Sequence, residues 1–467
     1  MRIEQLYTGC LAEAAYYIES NGEAAIIDPL RESEPYINLA KESGAKIKYI
    51  FETHFHADFV SGHLELAKKT GATIVFGPSA ETGYKIHVAK DYESFKLGDI
   101  TIQVLHTPGH TLESTTYLLI DEAGNNQAIF SGDTLFIGDV GRPDLAVNCD
   151  LNEEDLAGIL YESLRSKIMP LQDHLTVYPG HGAGSSCGKH LSKETTDTLG
   201  NQKKTNYALR EDMTKEEFIK EVTKGILPPP QYFFKNAAMN KQGYEDFDKV
   251  LEGGMTALSA EEFDKKKKEG VFVLDTRHQN DFAKGFIPGS INIALDGMFA
   301  IWVGTLIKEL KQPLLIIAPL GREEETVMRL ARVGYDHVVG FLEGGFETWK
   351  KGGYTTDSIT SISANQLEEI MAKEQVNLVD VRKPDEHLSE HVIGAISYPL
   401  DYINENLEEL DKEKTYYMHC AGGYRSMVAV SMLRKEGYRN IIDVEGGFGN
   451  ISQTSIPTSE YVCPSTL

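Results

Sequence analysis

The run Ile47-Lys-Tyr-Ile-Phe51 reads as a buried strand, and close behind it stands Thr53-His-Phe-His-Ala-Asp58. Two histidines two apart, with an aspartate two further on, let one strand-end loop aim several ligands at a single metal ion. A lone H-x-H is weak, since most surface histidines bind nothing. Here Thr107-Pro-Gly-His110, Phe130-Ser-Gly-Asp133 and Tyr178-Pro-Gly-His181 extend the pattern. Four such loops in this order are the constraint that any fold of this chain has to satisfy.

The chain has 467 residues, too long for one core, and a prior of roughly 150 residues per domain suggests about three. Seventy acidic against 46 basic residues give a formal charge of −24. So acidic a surface repels phosphate backbones, so nucleic acid is not an expected partner. The five cysteines, Cys10, Cys149, Cys187, Cys420 and Cys463, are few, odd in number and scattered. They do not read as a disulfide framework, which favours a reducing compartment. The N-terminus starts directly on a strand-like pattern, and no apolar run reaches the roughly 18 residues of a membrane span. A soluble, cytoplasmic protein with no membrane partner is the expectation.

Residues 1 to about 205 alternate short strand-like runs (24–27, 73–76, 100–105 and 127–130) with helical stretches. Helices are expected over 63–70 and over 152–167, the latter capped by Asn152 with acidic residues in its first turn. A charged helix over 213–224 begins at Thr214, and Pro228-Pro-Pro230 follows it, where proline removes donors and forces extended geometry. The remainder repeats itself. Val273-Leu-Asp-Thr-Arg277 matches Leu378-Val-Asp-Val-Arg382, and Gly285-Phe-Ile-Pro-Gly-Ser290 matches Glu390-His-Val-Ile-Gly-Ala395. Glu343-Gly-Gly-Phe346 matches Glu445-Gly-Gly-Phe448. The offset closes from 105 to 102 residues, so the first copy carries three extra residues in its middle.

In the second copy, Thr415-Tyr-Tyr-Met-His419 runs into Cys420-Ala421-Gly422-Gly423-Tyr424-Arg425-Ser426, and a helix is expected from about Met427. A cysteine at such a turn faces a helix N-terminus and converging backbone N–H groups, which lower its pKa and hold an anion. Gly422 and Gly423 let the loop curl so that those donors point inward. Arg425 lies five residues after Cys420. Phosphatases with a similar cradle place arginine six residues on, and the shorter loop suits a single sulfane sulfur. Cys420 is therefore the candidate persulfide-carrying nucleophile, with Arg425 beside it. In the first copy the 102-residue offset sets Ala318 where Cys420 stands, so that copy cannot carry sulfur and is expected to serve packing. His391 invites a catalytic role, but its counterpart is Phe286, and a structural role is preferred.

The four metal loops resemble the metallo-β-lactamase fold, and the D-x-R, G-x-I-x-G and E-G-G repeats resemble rhodanese domains. Hydrolases of the former family generally place H-x-H-x-D-H on two zinc ions. Here Phe59 stands in place of the last histidine, which strips the second metal of a ligand. His54, His110 and Asp133 would then form a two-histidine, one-carboxylate face with open positions, typical of non-haem Fe(II). With Gly141-Arg-Pro-Asp144 and the rhodanese repeats, the whole chain resembles fused persulfide dioxygenase–sulfurtransferases. That resemblance implies one Fe(II) per chain on His54, His110 and Asp133. It implies that His56, Asp58 and His181 lie one layer out, orienting the ligands. Arg142 and Asp144 are candidates for contacting the substrate's thiol carrier, with a plain ion pair as the other reading. Cys187 borders the site or is simply packed, His63 caps or packs the helix it begins, and Cys10 and Cys149 read as structural.

The expected fold class is a multidomain α/β and α+β chain: a metallo-β-lactamase αββα sandwich followed by two rhodanese-like α/β domains. The expected boundaries are an iron domain over 1–210, a helical extension and linker over 211–255, a degenerate rhodanese domain over 256–356 and an active one over 357–455. A mobile tail would follow over 456–467. The expected function is bifunctional sulfur oxidation. The iron domain would oxidise a low-molecular-weight thiol persulfide with O2 to sulfite and thiol. Cys420 would pass sulfane sulfur to sulfite, giving thiosulfate and clearing sulfide-derived species. Glutathione, coenzyme A and bacillithiol are all open as the carrier, and a homo-oligomer is expected from the resemblance. Two rivals stand beside it: a zinc hydrolase (thioesterase or glyoxalase II-like) with a rhodanese tail, and a non-oxidative sulfur carrier or sensor.

Overall fold

The computed structural model describes residues 1–147, 150–189, 191–226 and 228–463. Cys149 and residues 464–467 of the expected tail lie outside the described residues. The chain divides into two compact units, Met1–Lys249 with Ala331–Gly334, and Val250–Leu330 with Tyr335–Leu467.

The first unit holds two six-stranded sheets. One runs, in spatial order, Arg2–Thr8, Glu13–Ser20, Glu23–Ile27, Lys46–Phe51, Thr73–Phe76 and His87–Val88. The other runs Asp197–Thr198, Thr176–Pro179, Asn126–Gly132, Thr115–Ile120, Ile100–His106 and Ser94–Leu97. Strands buried on both faces read as continuous apolar runs, and Glu23–Ile27 is of that kind. Between the sheets pack Tyr16, Ile18, Ile27, Phe51, Ile102, Val104, Tyr117 and Phe130. The outer face of the first sheet is closed by the helices Glu34–Ser43 and His63–Thr70, through Tyr36, Ala40 and Leu66. The outer face of the second is closed by Glu153–Ser163 and Lys215–Thr223, through Ala157, Leu160, Phe218 and Val222. The result is an αββα sandwich.

The caps expected from sequence are in place. Asn152 accepts from the Asp155 N–H and Thr214 from the Glu217 N–H, each in a reciprocal capping box. The first of these helices goes over into a single π-helical turn, Leu164–Ile168. The helix Tyr232–Gln242 belongs to the first unit, and its Asn240, fully buried, ties down the H-x-H-x-D loop. The Asn240 amide donates to the His56 and Phe59 carbonyls, both at 2.8 Å, and its oxygen accepts from the Ser61 N–H.

The second unit holds two five-stranded sheets, each parallel throughout. In the first copy the order is Ala257–Leu258, Val338–Leu342, Leu314–Ile317, Phe272–Asp275, Ile291–Asn292. In the second it is Thr360–Ile362, Ile441–Val444, Tyr416–His419, Asn377–Asp380, Ile396–Ser397, strand for strand the same topology. The repeated motifs are explained by one shared knot. Arg277 forks onto Asp275 and donates to the Gly285 carbonyl, and its guanidinium lies 4.3 Å from the centre of the Phe346 ring. Arg382 forks onto Asp380, donates to the Glu390 carbonyl and lies 4.1 Å from Phe448. D-x-R, the carbonyl of Gly285 or its counterpart Glu390, and E-G-G-F thus meet in both copies, whether or not the copy carries a cysteine.

The cysteine-free copy packs on the other. The Tyr424 hydroxyl, from the cysteine loop, donates to the Ala294 carbonyl at 2.8 Å, and the Ser431 hydroxyl accepts from the Asn292 N–H at 3.0 Å. No helix among the described residues is long and apolar enough to cross a membrane.

Candidate metal centre and cysteine loop

Four strand ends of the first unit deliver the motif residues to one buried place. His54 follows Lys46–Phe51, His110 follows Ile100–His106, Asp133 follows Asn126–Gly132, and His181 follows Thr176–Pro179. His54, His110 and Asp133 are each at most 2% exposed, and each offers one ligand atom within 4.8 Å of the others. His110 Nε2 lies 3.4 Å from Asp133 Oδ2, and His54 Nε2 lies 3.9 Å from the same oxygen. Neither His110 Nε2 nor Asp133 Oδ2 has a hydrogen-bond partner, although both are buried. Buried polar atoms are normally satisfied, so two facing orphans fit a bound cation.

The hydrogen bonds behind the ring set the tautomers. The Thr53 hydroxyl spends its one hydrogen on Asp28 Oδ2 at 2.8 Å, so its oxygen accepts from His54 Nδ1–H at 3.0 Å. His110 Nδ1–H donates to the Arg142 carbonyl at 2.8 Å. Both imidazoles therefore turn an unprotonated Nε2 towards Asp133, as metal-binding histidines require. Burial and the neighbouring His56 hold His54 well below the usual histidine range. Burial alone would raise Asp133, but His181 and His54 hold it far below the usual carboxylate range. The donor set fits a metal ion.

The other expected residues fall into two further groups. His181 spans two carboxylates, with Nδ1 2.8 Å from Asp133 Oδ1 and Nε2 2.8 Å from Asp58 Oδ2. Burial opposes its charge, yet those carboxylates carry it well above the usual histidine range. Asp58, His181 and Cys187 form a second close group, with the Cys187 thiol pushed up by burial. His56 faces Asp28 Oδ1 at 3.1 Å and Glu52 Oε2 at 3.6 Å, the third close group. Phe59, wholly buried, covers the His56 ring at 4.3 Å between centroids. His63 packs rather than caps: its Nε2 meets the Tyr84 hydroxyl at 2.7 Å, and Gly62 occupies the cap position. Arg142 forks onto Asp144 at 2.6 and 2.7 Å and donates to the Ser186 carbonyl.

Asp28, Glu52 and Asn240 escaped the sequence reading. Asp28 carried a usable signal, an acidic residue closing the apolar run Ala24-Ala-Ile-Ile27 before Pro29. Asn240 carried none, because its partners lie about 180 residues away.

In the second unit Cys420 is 1% exposed and follows the strand Tyr416–His419. The Gly423 N–H points at Cys420 Sγ from 3.1 Å. The helix starts at Tyr424, not near Met427, because Gly423 takes a left-handed φ of 97° and serves as its cap. Arg425 and Ser426 therefore lie in the first helical turn. Gly422 has no positive φ, so the curl rests on Gly423. The loop is clamped from Glu445-Gly-Gly-Phe448: the Phe448 N–H donates to the Cys420 carbonyl and the Gly449 N–H to that of Ala421. A Cβ on Gly447 would lie 2.2 Å from the Cys420 carbonyl oxygen, which explains the glycine there. Arg425 forks onto Glu386 at 2.5 and 2.8 Å. His391 accepts a structural place, its Nδ1–H donating to the His387 carbonyl and its ring stacked on His387. Ala318 holds the corresponding place in the first copy, where Arg322 is paired with Asp296 and Glu325.

Residues 8–181 match the metallo-beta-lactamase superfamily, and residues 259–352 and 363–454 each match the rhodanese-like domain. A probable hydroxyacylglutathione hydrolase of Schizosaccharomyces pombe is 30% identical over 203 residues, covering 42% of this chain and 75% of the relative. The mitochondrial persulfide dioxygenase ETHE1 of Homo sapiens is 30% identical over 211 residues, covering 45% of this chain and 74% of the relative. A solved metallo-beta-lactamase from Staphylococcus aureus subsp. aureus COL matches 73% of this chain and 98% of its own, at 33% identity and a TM-score of 0.64. The chain belongs to the metallo-beta-lactamase superfamily, as a metallo-beta-lactamase domain with persulfide dioxygenase ETHE1 relatives followed by two rhodanese-like domains. Its domains are those of enzymes.

Proposed function

We propose that this chain is a bifunctional sulfur-oxidising enzyme. The first unit holds one Fe(II) on His54, His110 and Asp133 and oxidises the outer sulfur of a low-molecular-weight thiol persulfide. One O2 and one water supply the three oxygens of sulfite, and the thiol and two protons are released with it. Cys420 takes the sulfane sulfur of another persulfide and passes it to sulfite, giving thiosulfate. Relatives of both classes, hydrolase and dioxygenase, stand at 30% identity, so identity does not choose between them. The donor set carries the choice: two histidines and one carboxylate face each other, while His56 is turned onto Asp28 and Glu52.

Fe(II), which His54, His110 and Asp133 would hold, would supply O2 activation and the electron transfer to the sulfur. The chain's own groups do the rest. Thr53 and the Arg142 carbonyl fix both imidazole planes. His181, held between Asp58 and Asp133, fixes the Asp133 carboxylate so that Oδ2 faces the ligand side. At the other site the Gly423 N–H meets Cys420 Sγ at the start of a helix twelve residues long, a place suited to holding the transferred sulfur. Fusing the two sites raises the concentration of sulfite at Cys420, since the product of one is the acceptor of the other.

A second reading, a zinc hydrolase with a sulfurtransferase tail, draws on Asp58, His181 and Cys187, whose ligand atoms also lie within 4.8 Å of one another. Metal analysis of the purified protein separates the two. About one iron per chain is expected, because His181 has both nitrogens engaged; two zinc ions per chain would overturn the proposal in favour of the hydrolase.

A further inference from the structure

Behind the cysteine loop lies a short buried chain of polar groups that the sulfur-transfer reading does not use. Cys420 Sγ is 3.8 Å from the Ser426 hydroxyl oxygen, and that hydroxyl donates to Asp443 Oδ1 at 2.8 Å. Cys420, Ser426 and Asp443 are 1%, 0% and 4% exposed. Ser426 comes from the first turn of the helix Tyr424–Lys435, and Asp443 from the strand Ile441–Val444 on the neighbouring side of Tyr416–His419. A hydroxyl has one hydrogen and two acceptor positions. With that hydrogen on Asp443, Ser426 offers Cys420 a lone pair, the correct partner for a thiol S–H.

We infer that Asp443 is the positioning residue that receives, through Ser426, the proton Cys420 loses on becoming a thiolate. The transfer conserves charge. The S–H proton moves to Ser426 Oγ while the hydroxyl hydrogen of Ser426 moves to Asp443 Oδ1. Cys420 is left as an anion that accepts from Ser426 and from the Gly423 N–H. This inference rests on the reading of Cys420 as the sulfur carrier. The thiolate then attacks the outer sulfur of R–S–SH. A bond forms between Sγ and that sulfur, the bond from it to the R-bearing sulfur breaks, and the electron pair leaves as R–S⁻, which takes a proton from water. No atom changes oxidation state overall, so no oxidant is called for. When sulfite removes the outer sulfur, Cys420 is again a thiolate and the proton on Asp443 is available to return.

The surroundings suit a carboxyl that can hold a proton. Burial, with a smaller contribution from Glu445, pushes Asp443 up to about 7, against the Ser426 hydrogen bond. Of the other charged groups nearby, Arg425 forks onto Glu386 and also sets positive charge within reach of Cys420, while Asp380 is held by Arg382 and His387. His419, at the end of the cysteine strand, is held below the usual histidine range, first by burial. Two groups that share one proton through Ser426 would titrate as a pair in two steps.

The test is the ultraviolet absorbance of the Cys420 thiolate against pH, taken as full-length protein minus Cys420→Ser. Two ionisation steps are expected, with thiolate present on a plateau between them. Asp443→Asn keeps an oxygen that accepts from Ser426, so a merely structural role leaves the profile unmoved. A relay keeps one ionisation and loses the high-pH step, because the amide, like the protonated carboxyl on the plateau, carries no charge to oppose the thiolate. Ser426→Ala, which breaks the chain in the middle, loses the same step. An unchanged two-step profile in Asp443→Asn, or a single step in the unmodified protein, would overturn the inference. Because no sulfur donor is present, a protein that shows two steps yet transfers no sulfur would count against the sulfur-carrier reading and not against the relay.

Discussion

Cys420→Ser leaves the protein forming sulfite from a persulfide and O2, while thiosulfate formation falls by on the order of 10³-fold or more. A serine hydroxyl is a far weaker nucleophile than a thiolate and cannot hold a sulfane sulfur as a persulfide. The substitution is nearly isosteric, so the Gly423 N–H and the clamp from Phe448 keep the loop in shape. No second cysteine can substitute from the partner copy, where Ala318 follows the strand Leu314–Ile317. Sulfite and thiosulfate are separated and counted in one reaction. Sulfite accumulation with thiosulfate lost is the expected result. If sulfite is lost as well, the division of labour between the two units is wrong.

Asp133→Asn acts on the other half. The amide removes the one negative charge of the three-donor set and replaces a carboxylate oxygen with a poorer ligand. It also weakens the hold on His181, which meets Asp133 Oδ1 at 2.8 Å. Iron retention and O2 uptake are expected to fall together by on the order of 10²-fold. Thiosulfate formation from supplied persulfide and sulfite is expected at the unaltered rate, because Cys420 lies in a different compact unit. An Asp133→Asn protein that keeps its iron and its uptake would remove Asp133 from the ligand set.

Much of this was legible because it is local. The strand-end loops are short motifs, each fixing its own backbone. The caps at Asn152 and Thr214 were readable because a capping box spans only four residues. The repeat was readable because D-x-R and E-G-G-F serve the same ion pair and ring contact in both copies. What stayed hidden depends on distant segments meeting. Spacing could not say that His56 faces Asp28 and Glu52, since the loop rotation that turns it is set by Asn240 and Phe59. The helix start was misplaced because a glycine in the left-handed region caps it without any polar side chain. Asp443 drew no attention as one more acidic residue at a strand end, although it meets Ser426 seventeen positions earlier in the chain.

Oxygen chemistry on a persulfide at the three-donor face is read from O2 uptake by the iron-loaded protein on addition of glutathione persulfide, with sulfite followed in the same vessel. Uptake that depends on both iron and persulfide, with one sulfite formed for each O2 consumed, is the expected result. No uptake from a protein that binds zinc and cleaves thioesters would make the first unit a hydrolase and leave Cys420 as the chain's sulfur chemistry.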